Sequence, residues 1–149
     1  MLADSPAAKK WGWATLIRAL YDARPALVLN GGAVGPDAWA TGLAKIVGVP
    51  ARELLPNGDV RAQGELDEAL DLPSRWAPEG VSPGPLPRNE ELVRTAAAYA
   101  RGGATVLVVA LYAPWSKTQG TRHTVKLASA AGLECDVHVC PAAFARWGA

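Results

Sequence analysis

The sequence has little cysteine and no excess of charge of either sign, and each shortage excludes a class of protein. Its 149 residues include two cysteines, Cys135 and Cys140. Their odd separation in an alternating segment points them to opposite faces of a strand, so they cannot bond each other. Without a CxxC pair, a zinc site is not indicated either. We therefore expect no disulfide, no metal and no cofactor.

The near-neutral charge and the short apolar runs exclude two further classes. Fifteen basic and fourteen acidic residues give a formal charge of +1, which provides no field for non-specific binding of nucleic acid or of an anionic membrane. The longest apolar run, residues 104–115, has about half of the roughly 20 residues that a membrane helix needs. Residues 1–10 lack the apolar core of a signal peptide. We expect a cytoplasmic protein.

What is present is typical of one globular domain. Half of the residues are apolar and 19% are charged, which is the ordinary globular mixture, and the length suits one domain of roughly 150 residues. We expect that domain to span residues 1–149. An atypical N-terminal segment, a loop-rich insertion and a C-terminal tail are expected at residues 1–10, 56–84 and 141–149.

Apolar runs alternate with segments of helical periodicity. Runs that are apolar on both faces are typical of strands buried in a parallel sheet. We predict strands over residues 26–30, 49–55, 105–111 and 134–140. From helical spacing we predict helices over residues 11–22, 37–47, 90–101 and from 120 or 121 to Gly132. The alternation predicts an α/β fold with an open parallel sheet flanked by helices.

Three loops at the predicted sheet edge are candidate ligand sites. In the first, residues 30–40, the glycines Gly31, Gly32 and Gly35 would let backbone amides approach a ligand, and the following helix start favours negative charge. Its spacing is neither GxGxxG nor GK[ST]. As a phosphate motif it is weak on its own, because glycines after a strand also form ordinary tight turns.

The second and third loops add polar side chains. Arg88 and Asn89 stand just ahead of a predicted helix, where Asn89 could cap the helix and Arg88 could bind a phosphate or carboxylate or simply be solvated. If Arg88 binds an anion near the surface, its replacement by alanine weakens binding and leaves the fold intact. In the third loop, residues 116–124, Thr121 can either cap a helix or donate to a phosphate.

Catalytic motifs are scarce. Neither GxSxG nor HExxH occurs in the chain. Asp37 is the only carboxylate well placed to act as a nucleophile or a base. Its alternative role is structural, since a carboxylate in the first turn of a helix stabilises the helix dipole.

Taken in order, the three loops resemble those of the SLOG superfamily, and most closely its small YspA-like branch of bacteria and phages. The matching segments are GGAVGPDAWA at residues 31–40, Trp76 and Gly80 ahead of PGPLPRN at 83–89, and SKTQGT at 116–121. The resemblance implies a Rossmann-like domain that binds a nucleotide or a nucleotide-derived small molecule. It implies that the ligand-binding residues are Gly31, Gly32, Ala33, Gly35, Asp37, Arg88, Asn89, Ser116, Gly120 and Thr121.

The chain departs from that family in two places. Family members open with an apolar strand ending in a GSR-like turn, whereas residues 1–10 contain Asp, Ser and Pro. The first strand is therefore expected to be degenerate, missing or supplied by a partner, which would be a second copy or another protein. The cytokinin-activating phosphoribohydrolases of the superfamily carry a glutamate where this chain has Thr124, so their glycosidic hydrolysis is not implied.

Three hypotheses of function follow. The first is a binding module that senses or sequesters a nucleotide-like small molecule. The second is a nucleotide-processing hydrolase that cleaves an N-glycosidic or a phosphate bond, with Asp37 as its catalytic group. The third is a structural or interaction protein built on a decayed nucleotide-binding fold.

Overall fold

The computed structural model describes residues 5–115 and 120–145, and it has a mixed α/β fold. In chain order the elements are α1 (Pro6–Ala23), β1 (Val28–Asn30), α2 (Pro36–Val47), β2 (Ala51–Leu54), β3 (Val60–Gln63), α3 (Pro85–Arg101), β4 (Leu107–Tyr112), α4 (Gly120–Ala130), β5 (Glu134–Val139) and a final 3-10 turn (Ala142–Ala145). The predicted alternation of helices and strands is confirmed.

The strands form two small open sheets, where the sequence predicted a single parallel one. In the first sheet β1 pairs in parallel with β2, starting at Val28 opposite Ala51, and β2 pairs antiparallel with β3. In the second, β4 and β5 are parallel. Strand β3 lies inside the predicted loop-rich insertion and was missed, because it is a partly exposed edge strand with little apolar patterning.

The helices pack in two pairs, α1 beside α2 and α3 beside α4. On the sheet of β4 and β5, α1 and α4 lie on opposite faces. A β-carbon built on Gly12 of α1 would lie 3.5 Å from Leu111, whereas Ser129 of α4 donates a hydrogen bond to the sulfur of Cys135. Cys135 is paired with Val108 and therefore shares its face of the sheet. Val108 and Leu111 are three residues apart on one strand, and an odd spacing places them on opposite faces. Leu111 and Cys135 therefore point to opposite faces. Helices therefore cover both faces of this sheet.

Helix α1 begins earlier than its apolar spacing predicts. Ser5 precedes it and accepts a hydrogen bond from the amide of Ala8 at 3.2 Å, and Pro6 occupies the first helical position. Both residues are typical of a helix start. Residues 6–10 are therefore helical, while residues 1–4 lie outside the described part of the chain.

The insertion between β2 and α3 is fixed to the fold by a buried arginine. Arg52 is only 3% exposed. Its guanidinium binds both carboxylate oxygens of Asp71, at 2.8 and 3.2 Å, and donates to the carbonyl of Gly64 at 2.9 Å. Farther along, the hydroxyl of Tyr99 in α3 donates to the carbonyl of Leu70. These bonds hold the acidic part of the insertion in one place.

The cysteines form no disulfide with each other. Cys135 and Cys140 are both free thiols, and Cys140 is the buried one. Within the described ranges, no helix has the length and apolar character needed to cross a bilayer.

Candidate functional site

The backbone amides of the glycine loop bind a carboxylate of the chain itself. Asp37 lies in the first turn of α2, and its Oδ2 accepts hydrogen bonds from the amides of Gly31 and Ala33, both at 3.2 Å. These are amides that the glycine spacing left open for a ligand. Asp37 therefore fills part of the anion-binding position of the loop.

Gly31 joins Asp37 to Arg88. While its amide donates to Asp37, its carbonyl accepts a hydrogen bond from Nη1 of Arg88, 57 residues away in sequence. Nη1 also approaches the carbonyl of Leu54 at 3.4 Å. A β-carbon on Gly31 would lie 2.5 Å from that nitrogen, so only glycine leaves room for the guanidinium. The first and second predicted loops thus meet in one cluster.

Arg88 and Asn89 lie inside helix α3, which rules out the capping role for Asn89 and the solvated alternative for Arg88. The helix begins at Pro85 after Gly84, because proline lacks only an amide that the first turn leaves unbonded anyway. Asn89 therefore does not cap it. Its Oδ1 accepts from Nε of Arg88 at 2.9 Å. Arg88 is not solvated near the surface, since it is 7% exposed.

Several polar groups of the cluster have no partner among the described residues. Nη2 of Arg88 and the amides of Val34 and Gly35 donate to no described residue, and Oδ1 of Asp37 accepts from none. Each of these three N–H groups can donate to an anion, and Oδ1 of Asp37 can accept from a hydroxyl or amine.

The electrostatics of the cluster are set by burial. Desolvation is the largest effect on Asp37 and raises the pKa of its carboxyl group above the ordinary value. The amide of Ala33, the charge of Arg88 and the amide of Gly31 act in the opposite direction, and the charge of Glu53 raises this pKa further. Burial also lowers the pKa of Arg88, while the charge of Asp37 raises it.

A chain of hydrogen bonds supports the glycine loop, and it was not predicted from the sequence. The side-chain amide of Asn30 donates to the carbonyl of Asp37 and to Thr41, both at 3.0 Å. Thr41 in turn donates to Glu53 at 2.9 Å, and Arg61 donates to the same carboxylate. Glu53 is 4% exposed. Glu53, a charged residue within a strand predicted to be buried, was the signal in the sequence that could have indicated this chain of hydrogen bonds.

The third loop is only partly described. Ser116 lies outside the described residues. Gly120 is exposed and begins α4, and Thr121 is half-buried in its first turn. No hydrogen bond among the described residues joins Gly120 or Thr121 to the glycine loop. The hydrogen bonds of the cluster therefore do not include these two residues.

The strand that leads into the third loop nevertheless ends close to α2. A β-carbon on Gly12 would lie 2.5 Å from the ring of Trp39, in the first turns of α2, and 3.5 Å from Leu111, near the end of β4. Both side chains belong to one core cluster. The carboxyl end of β4 and the amino end of α2 thus meet against the same side of α1.

Replacing Asp37 by asparagine is expected to change how stability depends on pH. A raised pKa means that the folded state binds more protons than the unfolded state, so the wild type loses stability as pH rises above the ordinary aspartate pKa of about 3.9. Asparagine can still accept from the loop amides but does not titrate. The free energy of unfolding of the variant relative to wild type should therefore increase as pH rises from acidic to neutral. Urea unfolding across that range measures it, and a difference independent of pH would contradict it.

No protein-family model, no curated protein and no solved structure matches the chain. Within residues 5–115 and 120–145, no three histidine, cysteine, aspartate or glutamate side chains are placed to hold a metal ion.

Proposed function

We propose that the glycine loop and Arg88 bind a nucleotide or a nucleotide-derived small molecule, and that the protein senses or sequesters it. The observation that carries the proposal is the buried guanidinium of Arg88, whose Nη2 has no partner among the described residues. Nη2 is not one of the fully buried unpaired side-chain atoms of the described residues, so this donor is accessible to a ligand from solvent. A phosphate accepts such a donor well.

The surroundings of Arg88 favour the same class of ligand. The amides of Val34 and Gly35 precede the first turn of α2 and donate to no described residue, and the positive end of a helix favours an anion there. Oδ1 of Asp37 could accept from a ribose hydroxyl or a base amine. Nucleotides and their derivatives carry both an anionic phosphate and hydrogen-bond donors on the ribose and the base.

We also propose a Rossmann-like arrangement, as the SLOG resemblance implies. Its support is the packing of helices on both faces of β4 and β5 and the parallel pairing of β1 with β2. Among the described residues, β1 pairs only with β2, and β4 only with β5. A further strand between β1 and β4 would join the two sheets into one.

The binding proposal is tested with a panel of nucleoside mono-, di- and cyclic phosphates in titration calorimetry. Arg88→Lys keeps the charge but loses the forked donors, so we expect about tenfold weaker binding or more. Arg94→Lys is the matched control on the same helix, because Arg94 is 65% exposed, and it should bind as the wild type does. Absence of binding to the whole panel, together with no nucleotide released from the purified protein on denaturation, would overturn the proposal.

A hydrolase is the second candidate, and Asp37 is the observation that favours it. Its raised pKa and its free Oδ1 suit a general acid or base. The same nucleotide panel, incubated with the protein and analysed for released base or inorganic phosphate, tests this function. Turnover that is lost in Asp37→Asn would support it, and intact nucleotides after long incubation would exclude it.

A further inference from the structure

Helix α1 leaves one apolar stripe exposed on its outer side. Its buried face consists of Ala8, Gly12 and Leu16. Trp13, Ile17 and Tyr21 follow one another at intervals of four residues and are 36%, 37% and 72% exposed. Residues four apart on a helix are neighbours on one face. The three side chains therefore form a continuous stripe, which we call the α1 stripe.

The α1 stripe is surrounded by positive charge. The ammonium group of Lys9 lies 5.9 Å from the ring centroid of Trp13, and the guanidinium of Arg24 lies 5.7 Å from that of Tyr21. Lys10 is also exposed. Residues 6–21 contain no aspartate or glutamate. Asp22 follows at the end of the helix. The surface thus combines aromatic side chains, which are enriched at protein interfaces, with cations that form no ion pair among the described residues.

The same chain carries a surface of opposite charge. Residues 65–71, with sequence ELDEALD, hold four acidic residues, and we call them the acidic segment. Leu70 within it is 44% exposed. Glu65 and Glu68 are exposed and form no ion pair with any described residue. The segment is held rigidly, because Asp71 is bound to Arg52 and the carbonyl of Leu70 accepts from Tyr99.

We propose that the α1 stripe of one copy docks on the acidic segment of a second copy of this chain. The two surfaces are complementary in charge, and the acidic segment offers the exposed side chain of Leu70 to the apolar stripe. Within one chain, no hydrogen bond or ion pair among the described residues joins them. The stripe lies on a helix and the acidic segment is tied to Arg52 and Tyr99, so docking costs little conformational entropy. This proposal is independent of the ligand site.

The properties of the contact follow from its composition. Three apolar side chains on one side and Leu70 on the other bury less than the roughly 1,200 Å² of a stable interface, so the association is weak and concentration-dependent. Because charged groups at its rim supply much of the attraction, added salt weakens it. The contact joins two different patches. Two copies form a closed dimer if each docks its stripe on the acidic segment of the other; otherwise the contact is heterologous and can extend to further copies.

Charge reversal of each surface tests the pairing in sedimentation velocity with the full chain. Lys9→Glu with Lys10→Glu places two acidic surfaces against each other, and Glu65→Lys with Glu68→Lys places two basic ones. Each variant alone should be monomeric at concentrations where the wild type associates. An equimolar mixture of the two should associate again, because each surface then meets its opposite. Unchanged melting temperatures show that the variants fold.

The apolar part of the contact has its own variant and matched control. Tyr21→Ala should weaken self-association by about tenfold, and Leu86→Ala, which removes an exposed apolar side chain from α3 (57%), should leave it unchanged. A wild type that stays monomeric at every concentration would overturn the proposal, as would a charge-reversed mixture that fails to associate. A monomer that sediments with phosphatidylserine vesicles through Lys9 and Lys10 would instead assign the stripe to a lipid surface.

Discussion

Replacing Arg88 by alanine is expected to lower the free energy of unfolding by about 3 kcal/mol. The carbonyls of Gly31 and Leu54 and the side-chain oxygen of Asn89 would lose their buried donor, and each buried acceptor left unsatisfied costs about 1–3 kcal/mol. The removed guanidinium also leaves a cavity between the glycine loop and α3. This replaces the expectation from sequence that the fold would stay intact without Arg88.

Arg94→Ala is the control for the Arg88 variant. Both arginines lie on α3, but the side chain of Arg94 is 65% exposed and pairs only with Glu91 in the neighbouring turn, among the described residues. Exposed pairs of this kind contribute about 0.5 kcal/mol. Urea unfolding of the two variants therefore separates loss of a buried network from loss of a charge. Equal free energies of unfolding for the two variants would show that the Arg88 hydrogen bonds do not stabilise the fold.

The parts of the fold that the sequence predicted well are those where one strong pattern decides the local structure. Strand β4 lies within the longest apolar run, and its parallel partner β5 begins at Glu134, where the expected strand begins. Helix α2 has apolar residues at helical spacing and ends at Gly48, whose φ of 81° suits glycine. In both elements, burial and local propensity favour the same conformation.

The elements predicted poorly are those where a contact distant in sequence overrides the local pattern. Three prolines around residue 85 resemble a loop, yet two of them fit the first turn of α3, and this shifts Arg88 from the loop into a buried turn. Its partners at Gly31 and Leu54 are 57 and 34 residues away. No local pattern contains that pairing, so the sequence identified the residue but not its environment.

The same limit applies to Asp37. Glycine spacing and the helix start both indicate an anion-binding position at residues 31–35, and the structure has an anion there. That anion is a carboxylate six residues downstream of Gly31. Spacing alone cannot distinguish a loop that binds a ligand from one that binds its own side chain, because both require the same open amides. The distinction depends on how α2 is oriented after Gly35.

The largest effect on the loop is expected from valine at position 32. Gly32 has a φ of +66°, which side chains with a β-carbon rarely adopt, and a β-carbon there would lie 2.6 Å from Cδ2 of Leu55. Backbone strain of this kind costs about 1–3 kcal/mol, and the collision adds to it. We expect Gly32→Val to lower the free energy of unfolding by about 4 kcal/mol or to prevent folding.

Gly48→Val isolates the strain from the collision. Gly48 has a similar φ of +81°, but nothing lies within 4 Å of its β-position, so its valine variant should lose only the strain, about 1–3 kcal/mol. Leu55→Ala removes the colliding side chain, so Gly32→Val should cost less stability in the Leu55→Ala background than in the wild type. A Gly32→Val protein no less stable than Gly48→Val would show that Leu55 does not restrict the loop.

Gly32→Val also separates a ligand-binding loop from a merely structural turn. The valine side chain would meet Leu55, and the strain at a φ of +66° would shift the adjacent amides of Gly31 and Ala33, which hold Asp37 in place. In the double variant with Leu55→Ala, where the protein folds, nucleotide binding should remain undetectable by calorimetry, whereas Leu55→Ala and Gly48→Val should bind as the wild type does. A structural turn predicts loss of stability alone. Wild-type affinity in the folded double variant would remove the glycine loop from the proposed site and leave Arg88 without the backbone donors that a phosphate needs.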